Sequence, residues 1–384
     1  MIINPGQIRG TNYIPNTTNA IDLARIFLHS NYGGFFDHEV IEKELKEIKN
    51  TGFNNVRVLG SFNGYCCFPS DYVYNLSQFF TKCRDLGLTV TYQLFNTTSV
   101  CTNSNLSVLH GYLASGISYN KAFEDIIGQI ARIESEIVRV DSVPEDEPGW
   151  FSLFEEPGNS LVSIRINSWP AISKMYLDMY LDDIGSIASN FSSNLFIDLF
   201  NEPEVHTGGD LNRVADFIAY SYQRIERRVP DLVTTIGFGS PDASSSVLER
   251  LRTTHNIRIS YLSYHIYPNM DSQFGESILA AAQITIDNNI EYIVVSEFEG
   301  LLYNPGKLGL YLQSLTAAGS TGKVGWQMWG FLQSNNWIIK NGVLVPIDGI
   351  LKPEYIDKKL VFTNLYPEDY AAIQSAVKQN MGTT

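Results

Sequence analysis

Short apolar runs alternate along this chain with segments whose apolar positions recur at helical spacing. Ile8 to Ile14 reads as a first strand. Asp37 is placed to cap a helix through Lys49, in which Val40, Ile41, Leu45 and Ile48 share one face and which Gly52 ends. Asn55 to Leu59 is a second strand. Leu76, Phe79, Phe80 and Cys83 share a helical face ahead of Gly87, and Leu88 to Phe95 is a third strand. Five further strands are expected at Leu195 to Phe200, Val233 to Phe238, Ile259 to His265, Tyr292 to Val295 and Lys323 to Met328. Helices fit between them at Leu211 to Val229, Ser244 to Thr254, Phe274 to Asn288 and Lys307 to Ala318. Eight strands alternating with helices predict an α/β fold of the (β/α)8 TIM barrel type rather than an open doubly wound sheet. No Gly-rich phosphate fingerprint follows the first strand, which argues the same way.

The connection between strands three and four is longer than one helix and two short loops require. Residues 97–170 are read as a helix-plus-hairpin insertion near the catalytic face of a single domain spanning residues 1–384. Its helix is Lys121 to Val140. Its hairpin is Trp150 to Phe154 with Leu161 to Ile166, after the acidic stretch Asp141 to Pro148. A second helix, Ile172 to Ile187, leads into strand four. After strand eight, Trp337 to Val345 reads as a hairpin turning at Asn341-Gly342, and Pro367 to Met381 as a final helix.

Composition narrows the function classes. The chain is 44% hydrophobic and 18% charged, a globular balance. A net charge of −14 disfavours nucleic acid and anionic membranes as partners and is compatible with neutral sugars. No run approaches the roughly 20 apolar residues of a membrane span. No basic-then-apolar leader opens the sequence, which leaves a cytoplasmic protein or a mature secreted form as the two expectations. The cysteines, Cys66, Cys67, Cys83 and Cys101, suggest neither a disulfide framework nor a zinc site. The six histidines include no pair at metal-ligand spacing, so no metal and no cofactor is expected.

Candidate chemistry sits where the apolar runs stop. Asn201-Glu202-Pro203 closes strand four, and Ser296-Glu297 closes strand seven. All strands of a parallel barrel end at one face, so two carboxylates far apart in sequence meet there. Facing carboxyls are what glycoside hydrolysis uses. Other strand ends are polar too: Arg57 in Asn55-Val56-Arg57-Val58, Asn96 after Gln93-Leu94-Phe95, His265-Ile266-Tyr267, and Trp329 after Trp326-Gln327-Met328.

In this order the motifs resemble glycoside hydrolase family 5, the cellulase and mannanase family of retaining (β/α)8 enzymes, from about Gly10 to Pro353. The resemblance implies Glu202 as acid/base and Glu297 as nucleophile. It implies Arg57, Asn201, His265, Tyr267 and Trp329 as residues around the sugar, with Asn96 beside them. Where that family usually has a His at the end of strand three, this sequence has none. The function expected is retaining cleavage of β-linked glucan or mannan by two Glu residues about 5–5.5 Å apart, with an oligo- or polysaccharide as partner. A non-hydrolytic sugar-binding barrel and a transglycosylase are the alternatives. Glu299, two residues beyond Glu297, is the rival nucleophile. Trp150, Trp337 and Tyr13 are candidates for outer subsites.

Overall fold

The computed structural model describes residues 3–15, 27, 36–62, 65, 69–95, 171–206, 211–239, 241–267, 271–298, 307–332, 337–340, 343–346, 349–356 and 359–378. A 3-10 turn at Pro5–Gln7 leads into β1 (Arg9–Tyr13), α1 (His38–Thr51), β2 (Asn55–Leu59), α2 (Pro69–Asp85) and β3 (Thr89–Gln93). Next come α3 (Ala171–Phe191), β4 (Leu195–Asn201), the single turn α4 (Pro203–His206), α5 (Leu211–Glu226), β5 (Thr234–Phe238), α6 (Pro241–His255) and β6 (Leu262–His265). The barrel is completed by α7 (Asp271–Asp287), β7 (Ile293–Glu297), α8 (Leu308–Gly319) and β8 (Val324–Met328). Neighbouring strands are parallel, and β8 returns to β1 through Arg9 opposite Trp326, so the sheet closes as the predicted (β/α)8 barrel.

Local chemistry accounts for the helix ends. The Asp37 side chain accepts from the backbone N–H groups of Glu39 and Val40, and Gly52 leaves α1 with φ 112°. The expected face of Val40, Ile41, Leu45 and Ile48 is buried, and Glu44 is buried with it. Glu44 accepts from the Tyr13 hydroxyl at 2.6 Å, which satisfies both groups inside the core. Helix α6 starts at Pro241, three residues before the expected Ser244, because a proline lacks only an N–H that the first turn leaves unused.

The barrel interior is stratified. Ile8, Phe196, Tyr261 and Val294 plug the end where the strands begin. Above them Gln327 Nε2 donates to Asn55 Oδ1, and both side-chain amides donate to Thr91 Oγ1. Nearer the C-terminal ends of the strands lie the buried charges of Arg57 and Asp198. Outside the barrel, tyrosines fasten the ends of β2 and β3. The Ser61 N–H donates to Tyr72, the hydroxyls of Tyr72, Tyr92 and Tyr180 follow at 2.9 Å spacing, and Tyr180 donates to the Leu94 carbonyl.

Two register shifts lie at the ends of the strands that matter most. Between β4 and β5, Asp198 faces Thr235 but Asn201 faces Gly237, so β4 carries one extra residue. Between β6 and β7, Tyr264 faces Val295 but His265 faces Glu297, so β7 carries one extra. Such bulges re-aim side chains at barrel rims.

Beyond the barrel, β9 (Trp337–Lys340) and β10 (Val343–Pro346) form the expected hairpin, and α9 (Pro367–Lys378) is the final helix. Between β10 and α9 lies a second antiparallel pair that the sequence pattern did not suggest, β11 (Leu351–Ile356) with β12 (Lys359–Asn364). Pro353 inside β11 argues against a strand in the sequence, and β12 is largely exposed. The expected helix Ile172 to Ile187 lies within α3. The rest of the insertion, residues 97–170, lies outside the described residues, as do Cys66, Cys67 and Cys101.

Candidate active site

Strand β2 brings Arg57 to the centre of the barrel mouth with no exposed surface. A guanidinium has five N–H donors, and here each has an acceptor. Nε donates to Asp198 Oδ2 at 3.2 Å, and Nη2 donates to the same oxygen at 2.9 Å and to Asn201 Oδ1 at 3.0 Å. Nη1 donates to Asn12 Oδ1 at 2.8 Å and to Glu297 Oε1 in a short ion pair. Burial alone would weaken the Arg57 charge, but the carboxylates of Glu297 and Asp198 outweigh it and raise its pKa further above the usual value.

Asp198 and Asn201 are three residues apart, and strict alternation would put them on opposite faces. The bulge in β4 lets both reach Arg57. The same device acts in β7. Ser296 meets Ser263 inside the barrel, and the adjacent Glu297 also turns inward to Arg57. Asn12 from β1 supports Arg57 from the other side and donates to the Ser296 carbonyl at 2.8 Å.

Glu202 leaves β4 in the left-handed region, at φ 44°, which for a residue with a Cβ costs about 1 kcal/mol. Its N–H is fixed on the Gly237 carbonyl at 2.6 Å, and Pro203 then starts α4. Its carboxylate faces His265, with Oε1 at 2.7 Å from Nδ1. The same nitrogen is 3.4 Å from Glu297 Oε2, which also accepts from the Tyr267 hydroxyl at 2.6 Å. One ligand atom from each of Glu202, His265 and Glu297 lies within 4.8 Å of the other two, so a carboxylate oxygen of one Glu is that close to the other. The Glu297 side chain is 9% exposed and that of Glu202 21%, so Glu202 is the more open of the pair.

Buried His265 would lose basicity from desolvation, but the charge of Glu297 and the hydrogen bond and charge of Glu202 outweigh that and raise its pKa above the ordinary 6.5. Glu202, His265 and Glu297 also make a donor set of a size that holds a metal ion, which histidine spacing in the sequence did not suggest. Arg57, already paired with Glu297, puts a full positive charge beside that set and opposes a second cation.

The structure therefore brings together Arg57, Asn201, Glu202, His265, Tyr267 and Glu297 among the predicted residues. Trp329 follows β8 half-buried, its N–H on the Phe298 carbonyl at 2.9 Å. Asn96, Glu299 and Trp150 lie outside the described residues, and for Trp337 only the backbone is described. Tyr13 is a core residue rather than a subsite ring: it is 1% exposed, stacked on Phe79 and bonded to Glu44. The sequence reading missed Asn12, Asp198 and Gly237. A carboxylate inside the apolar run Leu195-Phe196-Ile197-Asp198-Leu199-Phe200 was the one available signal for Asp198. Gly237 has no such mark. It donates its N–H to Asp198 Oδ1 at 3.0 Å, and a Cβ there would lie 3.0 Å from His265 Nε2.

Neither a protein-family model nor a curated protein matches the sequence. Solved structures match the fold. An exo-β-1,4-mannosidase from Opitutaceae bacterium strain TAV5 aligns with a TM-score of 0.57 at 13% identity, over 99% of this chain and 63% of its own. This chain thus spans less than two thirds of that protein's length. A GH5-4 broad-specificity endoglucanase from Clostridium longisporum aligns with a TM-score of 0.56 at 11% identity, over 97% of each chain. The mannotriose complex of a β-mannanase from Thermomonospora fusca aligns at 0.51 with 13% identity, over 96% of this chain and 90% of that one. At such identities the likeness is one of fold, the (β/α)8 barrel shared with cellulase- and mannanase-type proteins. Among the described residues no helix is long and apolar enough to cross a membrane.

Proposed function

We propose that this protein is a retaining glycoside hydrolase that cleaves β-linked glycans of the glucan or mannan type, with Glu297 as nucleophile and Glu202 as acid/base. The observation that carries the reading is the carboxylate pair, less than 5 Å apart at its nearest oxygens, at the C-terminal mouth of the barrel. Retaining enzymes hold their carboxyls about 5–5.5 Å apart, whereas inverting enzymes leave room for a water at roughly 6.5–9.5 Å. The aligned structures, a mannosidase, an endoglucanase and a mannanase, support the sugar class.

The two environments divide the roles. Glu297 is the more buried and accepts from Arg57 and the Tyr267 hydroxyl, which aim it. It attacks the anomeric carbon as Glu202 protonates the departing oxygen. The covalent glycosyl-enzyme is then opened by a water from which Glu202 takes a proton. Asn201 has its Oδ1 committed to Arg57, which leaves the Nδ2 hydrogens to donate to the sugar 2-hydroxyl. Trp329 offers a half-buried ring for stacking on the pyranose face.

The test is a panel of aryl β-glucosides, β-mannosides and the corresponding polymers, with the product anomer followed by proton NMR. The β-anomer should appear first. Glu297→Gln should abolish turnover, and Glu202→Gln should cost about 10²–10⁴-fold, least on the most activated leaving groups. First appearance of the α-anomer, or ordinary turnover by Glu297→Gln, would overturn the assignment.

A further inference from the structure

Asp198 has no exposed surface and lies mid-strand among apolar neighbours, where a Leu or Val would close the barrel core without desolvating a charge. Its partners indicate a different use. Oδ2 accepts from both Nε and Nη2 of Arg57, and Oδ1 accepts from the Gly237 N–H. A guanidinium is planar, so fixing the Nε–Nη2 edge fixes where the opposite nitrogen points. That nitrogen, Nη1, is the one that reaches Glu297. The groups facing Glu297 are Arg57 from β2, His265 and Tyr267 at the end of β6, and Glu202 after β4, with Asp198 behind Arg57. Arg57 is the one full cation among them and is paired with two carboxylates.

We propose that Asp198 is a positioning residue of the reaction, acting through Arg57 in two ways. It orients the guanidinium so that Nη1 is delivered to Glu297, and it shares the Arg57 charge so that Glu297 is aimed without being fully neutralised as a nucleophile. The inference rests on the glycosidase reading above and deepens it. Asn201 and His265 touch the same guanidinium through Nη2, so the clamp also sets the spacing between the acid/base side of the site and the nucleophile side.

Asp198→Asn keeps the size but removes the charge, and it puts an amide nitrogen against either Arg57 or the Gly237 N–H. Loss of a charge-assisted hydrogen bond should lower kcat about 10- to 100-fold, with KM changed by less than about threefold, because the substrate touches neither Asp198 nor Nε. A folded variant with kcat within about twofold of wild type, or a loss carried mainly by KM, would overturn the proposal. A second readout is independent of activity. The Arg57 Nε–H signal in ¹⁵N NMR, assigned by its absence in Arg57→Lys, should resist solvent exchange in the wild type and lose that protection in Asp198→Asn. Equal protection in both proteins would overturn the clamp. A wild type that cleaves no β-glycoside but shows this loss would sink the glycosidase reading and leave the clamp standing.

Discussion

His265 Nδ1 stands 2.7 Å from Glu202 Oε1, while the other ring nitrogen, Nε2, faces Arg57 Nη2 at 3.5 Å. A guanidinium only donates, so it opposes a hydrogen on Nε2 and favours one on Nδ1. The neutral ring therefore donates from Nδ1 to Oε1 of Glu202. His265 thereby lies between the carboxylates of Glu202 and Glu297, which is the condition that raises its pKa.

This arrangement predicts a pH dependence of stability. The His265 pKa is raised in the folded protein above the ordinary 6.5 that the unfolded chain has. Its contribution is fully present below about pH 6.5 and is lost as pH rises through the higher folded value. The Tm difference between wild type and His265→Gln, measured from about pH 5 to 9, should be largest at the acid end and shrink toward the alkaline end. A difference that stays flat or widens as pH rises contradicts the charge environment described for the ring.

Tyr267→Phe tests the opposite side of the proposed nucleophile. The hydroxyl donates to Glu297 Oε2 at 2.6 Å and so helps to aim the carboxylate. A hydrogen bond to a charged group is worth about 1.5–3 kcal/mol, so kcat should fall roughly 10- to 100-fold. A folded Tyr267→Phe variant with kcat within about twofold of wild type would mean that the hydroxyl does not act on Glu297.

The barrel was legible because hydrophobic periodicity changes from strand to helix at nearly every boundary, and Glu202, Glu297, Arg57 and His265 were legible because each ends or interrupts an apolar run. What sets their aim was not. A bulge is one residue too many between two strands, and nothing in Leu195 to Asn201 or Ile293 to Glu297 shows which partner residue it will face. Strict alternation would have separated Asp198 from Asn201 and Ser296 from Glu297. The hairpin of β11 and β12 is not marked in the sequence, because Pro353 argues against a strand there and β12 buries little apolar surface. Gly237 stands in the sequence only as one residue of the expected strand Val233 to Phe238. Its use, room for three charged or polar neighbours, appears only when β5 is set against β4 and β6.

Gly237→Ala puts that room to the test. A Cβ at this position would lie 3.0 Å from His265 Nε2, 3.1 Å from Asp198 Oδ2 and 3.4 Å from Arg57 Nη2. None of these atoms can swing away cheaply: His265 is held by Glu202, and Asp198 and Arg57 hold each other. Relief must come from tilting the imidazole or opening the ion pair, and either moves the groups that aim Glu202 and Glu297. Overpacking of this kind costs about 1–3 kcal/mol, a fall of several degrees in Tm, whereas kcat should drop more than about tenfold because small displacements in the site are amplified in the rate. Gly275→Ala is the matching control. Its Cβ would meet nothing within 4 Å in α7, so it should be neutral or stabilise by roughly 0.5–1 kcal/mol with kcat unchanged. If Gly237→Ala lost stability but kept full turnover, the polar cluster would be a structural core rather than the setting of the reaction.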